Sequence, residues 1–186
     1  MKLVLASGSQ RRRELLTMCG YDYEIIVSNA DETIDESDPE NFVRALSFRK
    51  AKDVFDRLSA AGRRNFAVIG SDTVVAFQKD GETKPVIIGK PKDAEDAVRI
   101  LSMLSGKTHR VFTGVSVIAD IPDENAAAQC SIRDKAGSYG IQGPFGMFVR
   151  EIRGNYFTVI GMPIPVLYKM LKKIGILPHG FYECIE

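Results

Sequence analysis

The stretch that most constrains this chain is the β-rich run at residues 67–77, because Gly70, Ser71 and Asp72 interrupt it. Val68 and Ile69 on one side, and Val74, Val75 and Phe77 on the other, have the β-branched and aromatic character of a buried strand. A carboxylate inside such a run costs free energy unless it is paired, protonated or metal-bound. Asp72 is therefore either a bend residue that caps its own turn or a functional acid, and a stronger catalytic candidate than any carboxylate in a loop.

The segments around this run alternate between strand and helix. Residues 2–6 read as a short buried strand, broken by Ser7, Gly8 and Ser9, and residues 11–19 as a helix that Gly20 stops. A second strand is predicted at 23–27. Asp38 followed by Pro39 is a helix start, and the spacing of Phe42, Val43, Leu46, Val54, Phe55 and Leu58 carries that helix to about residue 61. Lys79-Asp80-Gly81 predicts a hairpin turn with a returning strand at 86–88. Asp93 caps a helix bearing Ala97, Val98, Leu101 and Leu104, which Gly106 ends, and residues 110–119 are β-rich. Residues 120–131 have no clear period, and Gly137, Gly140, Gly143 and Gly146 recur in a loop-like tract. Arg153-Gly154-Asn155 predicts a second hairpin between strands at 147–152 and 156–160, and Pro165 opens a last helix that stops at Gly175. Early alternation followed by hairpins points to an α/β fold with a mixed sheet, and 186 residues without a linker or repeat to one domain spanning 1–186.

Composition removes several classes. With 25 basic against 24 acidic residues the net charge is +1, so a general nucleic-acid footprint is not expected. No apolar run reaches the roughly 18–20 residues of a membrane span, and the first residues lack a signal-peptide core. Cys19, Cys130 and Cys184 have no CxxC spacing, so neither a disulfide framework nor a zinc site is expected, and the chain reads as cytoplasmic. Ser105-Gly106-Lys107-Thr108 is not a P-loop, since position 101 is Leu and a helix precedes it, which argues against a phosphotransferase.

The remaining chemistry is anionic recognition. Ser7-Gly8-Ser9-Gln10-Arg11-Arg12-Arg13 stands where a strand hands over to a helix, so free amides, hydroxyls and guanidinium groups meet at a helix N-terminus suited to phosphate. Three arginines in a first turn oppose the helix dipole, which calls for an anion to offset them; a serine cap with solvated arginines is the plainer reading. Asp31, Glu32, Asp35, Glu36 and Asp38 form a loop in which solvation is the plainer role, with one of them as ligand to a hard cation such as magnesium as the alternative. Lys50 lies four residues from both Leu46 and Val54, so it interrupts an apolar stripe and either snorkels to water or enters a cleft. Lys90, between Gly89 and Pro91, can hold a phosphate as a point charge.

Five segments together resemble the Maf family of nucleoside triphosphate pyrophosphatases: LASGSQRRRELL, VIGSDTVV, IIGKP, LSGKTHRVFTGV and DKAGSYGIQG, in this order along most of the chain. The resemblance implies an elongated mixed β-sheet with flanking helices, in two lobes around a central cleft. It implies hydrolysis of nucleoside triphosphates to the monophosphate and pyrophosphate with a divalent cation, Mg²⁺ or Mn²⁺. The late DKAGSYGIQG segment is similar to the branch acting on dTTP and UTP. On the matching positions, Asp72 is the catalytic proton acceptor, Arg11, Thr73 and Gln142 are tied to substrate choice, and Ser9, Arg12, Glu32, Lys50 and Lys90 line the phosphate and metal site. Glu32 and Asp72 are the implied metal ligands. Gln10 stands where the family commonly has proline. The family's link to septum formation keeps a nucleotide-binding regulator without turnover as the alternative, and the resemblance allows a homodimer. Family members also carry about twenty more residues before the DKAG tract than residues 120–133 provide, so either the chain is a shortened member or, the favoured reading, a loop is missing at a join near Ala126 to Ser131, which a Cα step well above about 3.8 Å marks and continuous spacing excludes.

Overall fold

The computed structural model describes residues 1–78, 81–82, 84–121, 142 and 149–179. Along the chain run β1 (Lys2–Leu5), α1 (Gln10–Met18), β2 (Glu24–Ile25), α2 (Pro39–Ala60), β3 (Phe66–Phe77), β4 (Val86–Ile88), α3 (Ala94–Leu104), β5 (Arg110–Ala119), α4 (Tyr156–Ile160) and α5 (Ile164–Lys173). The strands form one mixed sheet with helices on both faces, the α/β class that the alternating pattern predicts.

Strand β3 organises everything else. Its 12 residues extend about 40 Å at roughly 3.3 Å each. β5 pairs antiparallel along almost its whole length, from Ala67↔Ala119 to Ala76↔Arg110. The other edge is shared. Parallel β1 covers it only as far as Leu5↔Ile69, with the Ala6 amide donating to the Ile69 carbonyl, and antiparallel β4 begins only at Val75↔Ile88. Residues 70–74 therefore have no strand partner on that edge among the described residues, and Asp72 lies at the centre of the gap.

Alternation along β3 sorts its side chains between two layers. Phe66 and Val68 face α2 and pack with Val4, Ala51 and Val54. Ala67 and Ile69 face the opposite layer, packing with Leu15 and Leu16 of α1, Ile160 of α4 and Leu167, Met170 and Leu171 of α5. Farther along, Val75 and Phe77 pack with Ile88, Val111 and Leu104 of α3.

Glycine at position 70 does not break the strand. A Cβ there would lie 2.1 Å from the Ser47 carbonyl oxygen, and one at Gly114 would lie 2.2 Å from that of Val43. The two glycines are opened for helix α2, whose backbone rests directly on the sheet; Ser47 and Ser116 close the contact with a 2.9 Å hydroxyl pair. Asp38 caps α2 as predicted, accepting from the amides of Glu40 and Asn41, and Asp93 caps α3 through the Asp96 amide.

The predicted second hairpin is corrected. Asn155 accepts from the Thr158 amide at 3.0 Å and starts helix α4 where a returning strand was expected, and residues 149–153 form no strand. Strand β2 is limited to Glu24 and Ile25, shorter than the predicted 23–27. The turn residues Lys79 and Asp80, the glycine tract at 137–146 apart from Gln142, residues 147–148, and the expected join near residues 126–131 lie outside the described residues.

Candidate active site

Three elements converge on the unpaired stretch of β3. β1 ends at its edge, so the chain leaves through Ser7 and Ser9 and starts α1 there. Helix α2 crosses the face beneath and carries Lys50 on the same side as Val43, Ser47 and Val54. Within the gap, position 72 faces α2 as Gly70 does, and position 73 points to the other layer, towards Arg12.

The α2 side holds a charge triad. The Lys50 ammonium lies 2.7 Å from Asp72 Oδ1 and 3.0 Å from Glu32 Oε1. Lys50 and Asp72 side chains are 12% and 11% exposed, whereas Glu32 is 60% exposed and reaches in from the acidic loop. Lys50 therefore enters the cleft instead of snorkelling. Asp72 does not cap a turn: it is a buried carboxylate matched by a buried ammonium, which answers the cost of placing it in an apolar strand.

The opposite side is built on Arg12. Its guanidinium donates to Gly161 O at 2.9 Å, Ser7 Oγ at 3.0 Å and Thr73 Oγ1 at 3.1 Å. Burial pushes its pKa below the ordinary arginine value, while the charges of Asp72 and Glu32 push it back up. Thr73 Oγ1 also meets Thr113 Oγ1 at 3.0 Å, and the single Ser71 hydroxyl hydrogen lies between the carbonyls of Gly114 at 2.9 Å and Gly161 at 3.1 Å. The anion that three adjacent arginines call for is thus only partly supplied by the protein. Arg12 is held by neutral oxygens, Arg11 is exposed, and the Nε of Arg13 is buried with no hydrogen-bond partner among the described residues.

Ser9 occupies the N-cap of α1 in extended conformation, but its hydroxyl makes no cap bond and no acidic residue sits in the first turn. The amides at this helix start keep their capacity for an external anion. The acidic loop divides as follows. Glu32 joins Lys50, Asp31 accepts from the Thr33 amide, Glu36 accepts from the Asp38 amide, Asp38 caps α2, and Asp35 is exposed. Lys90, in the segment after β4, and Gln142 are both exposed and make none of these contacts.

The carboxylates of Asp72 and Glu32, converging on one ammonium, are hard oxygen donors of the kind that hold Mg²⁺ or Mn²⁺ together with substrate phosphates. Among the described residues no group of three or more His, Cys, Asp or Glu side chains is clustered to hold a metal on its own. No described helix is long and apolar enough to cross a membrane. Ser7 belongs to the segment read from sequence as an anion site, whereas Thr113, Thr158 and Gly161 were not singled out. The available signal was a pair of hydroxyl residues in otherwise apolar strands, Thr73 and Thr113, which only the β3–β5 register sets opposite each other.

A family model described as Maf-like protein matches residues 2–133 and 124–174. A dTTP/UTP pyrophosphatase of Bacillus thuringiensis subsp. konkukian is 39% identical over 195 aligned positions, covering 94% of this chain and 96% of that protein. A protein of the same name from Lachnoclostridium phytofermentans is 38% identical over 199 positions, with the same coverage of both chains. Both aligned lengths exceed the 186 residues of this chain, so these relatives carry residues it lacks. A solved nucleoside-triphosphatase (dITP/XTP pyrophosphatase) from Mycobacterium abscessus aligns at TM-score 0.38 and 16% identity over 73% of each chain, too loose a likeness to carry weight.

Proposed function

Because the chain belongs to the Maf-like protein family, we propose that it hydrolyses nucleoside triphosphates, dTTP and UTP foremost, to the monophosphate and pyrophosphate. The observation that carries this reading is the pairing of opposite chemistries across one gap in β3. Carboxylates of Asp72 and Glu32 lie on the α2 side, and Arg12 with the open N-terminus of α1 on the other.

A triphosphate brings several negative charges, and its hydrolysis adds charge to the attacking and leaving oxygens. The α1 amides and Ser9 would take phosphate oxygens, with Arg12 already fixed in direction by three acceptors. Lys50 would offer its ammonium to the same oxygens while keeping Asp72 in place. Asp72 would accept the proton of the water that attacks the α-phosphorus, the role of a positioned general base. Glu32 and Asp72 would hold a divalent cation, Mg²⁺ or Mn²⁺, which would lower the pKa of water and neutralise phosphate charge. Arg11, Lys90 and Gln142 would complete the site, Lys90 on the phosphates and Gln142 on the imide edge of the base, where its amide can both donate and accept.

The test is product release from a panel of nucleoside triphosphates with Mg²⁺ or Mn²⁺. The expected outcome is pyrophosphate and monophosphate in equal amounts, fastest from dTTP and UTP. Release of inorganic phosphate with a diphosphate, or no product from any triphosphate, would refute the reading.

A further inference from the structure

Residues 26–37, which carry Glu32, belong to no helix or strand, and the Glu32 side chain is 60% exposed. Neither strand pairing nor burial therefore explains why its carboxylate stands 3.0 Å from Lys50. Helix α2 supplies the restraint through side chains at positions 49, 53 and 57, spaced four apart and so on one face. Arg57 donates to the Val27 carbonyl at 2.8 Å. Asp53 accepts from the Ser28 hydroxyl and the Asn29 amide, each at 2.9 Å. Arg49 donates to the carbonyls of Asp31 at 2.8 Å and Thr33 at 2.9 Å. The segment thus runs antiparallel to α2 and brings Glu32 to Lys50, the chain neighbour of Arg49.

The Arg49 contacts bracket Glu32. Both are made by Nη1, whose two hydrogens match the two carbonyls. Asp31 closes the same turn from within, its carboxylate accepting from the Thr33 amide at 2.9 Å. The guanidinium is engaged by backbone oxygens, and the Glu32 carboxylate is left to Lys50, which also holds Asp72. We infer that Arg49 is a positioning residue: it pins the backbone on both sides of Glu32 to α2 and so brings that carboxylate to the gap as the second oxygen donor for a divalent cation. The inference rests on the proposed cation role of Glu32 for its consequence, and on the hydrogen bonds alone for the placement. It also fixes a sign. Arg49 is a positive charge near a cation site, so electrostatics alone predict tighter cation binding when it is removed, whereas loss of positioning predicts weaker binding.

Arg49→Met keeps an unbranched stem and removes the donors, at an exposed position where the core loses nothing. Mn²⁺ is titrated into the protein without nucleotide, and the free ion is read by electron paramagnetic resonance. The Kd is expected to rise about tenfold in Arg49→Met. In a Glu32→Gln background the same substitution is expected to change the Kd by less than about twofold, because Arg49 acts through Glu32. An unchanged or tighter Kd in Arg49→Met, or an equal loss in the Glu32→Gln background, would overturn the inference. A crystal structure of Arg49→Met gives a reading that needs neither metal nor turnover. The Glu32 carboxylate is expected beyond about 4 Å from the Lys50 ammonium; an ion pair retained at 3.0 Å contradicts the proposal. If wild type binds no Mn²⁺, the cation role in the proposed function fails, and the position of Glu32 in the variant still decides whether Arg49 places it.

Discussion

At the scale of single residues, the site depends on Asp72, which is 8% exposed and paired with Lys50 at 2.7 Å. Asp72→Asn preserves size and removes the charge that would accept a proton. Turnover is expected to fall more than tenfold while nucleotide binding stays measurable by calorimetry. A variant keeping more than about a tenth of kcat, a loss below about 1.4 kcal/mol, would show that Asp72 is not the base. A second residue tests burial in place of catalysis. The Tyr21 hydroxyl is buried with no hydrogen-bond partner among the described residues, and its pKa is raised from 10.0 to about 12, first by burial and then by Cys19 and Tyr168. The folded state therefore keeps this proton where the unfolded state loses it. The stabilisation is full below pH 10 and is lost as pH rises from 10 to about 12, at most about 2–3 kcal/mol. Tyr21→Phe removes an unpartnered oxygen, so its stability near pH 7 should change by less than about 1 kcal/mol. Denaturant titrations across pH 9–12 should show a smaller alkaline loss in the variant than in wild type; identical pH profiles would contradict this origin of the shift.

At the scale of elements, helix α2 is held by two missing side chains. Gly114→Ala would place a methyl 2.2 Å from the Val43 carbonyl oxygen, against backbone that has no flexible end to yield. The helix must lift, and the expected destabilisation is about 1–3 kcal/mol by chemical denaturation. Lys50 moves with the helix, so activity should fall as well; a loss of stability below about 0.5 kcal/mol would mean that the contact is looser than described. These glycines also mark where reading from sequence failed. Gly70 read as an interruption because local propensity counts a glycine against a strand; its cause is the approach of α2, set by residues some twenty positions upstream. Caps were legible because they are local: Asp38 and Asp93 sit where their side chains meet the next amides. Residues Tyr156–Ile160 were misread because Thr158, Val159 and Ile160 have strand propensity and five residues hold too little of a helical period. Burial of those three side chains against the sheet and the Asn155 cap decided the matter.

At the scale of the whole molecule, the site exists because one long strand is shared by two shorter ones that do not meet. A carboxylate in an apolar run, a lysine in an apolar helix stripe and arginines after a strand were each visible in sequence, and the topology explains why they belong together. The polar layer behind Arg12 was not visible. It depends on the β3–β5 register and on α4 and its C-cap bringing the Thr158 and Gly161 carbonyls back to Thr113 and Ser71 from 45 and 90 positions away in sequence. The central claim is that water attacks the α-phosphorus in this gap, and hydrolysis of UTP in ¹⁸O-labelled water tests it most directly. The label is expected in UMP, with none in pyrophosphate. Label in pyrophosphate would place the attack on the β-phosphorus and contradict the arrangement of Asp72, Lys50 and Arg12 described above.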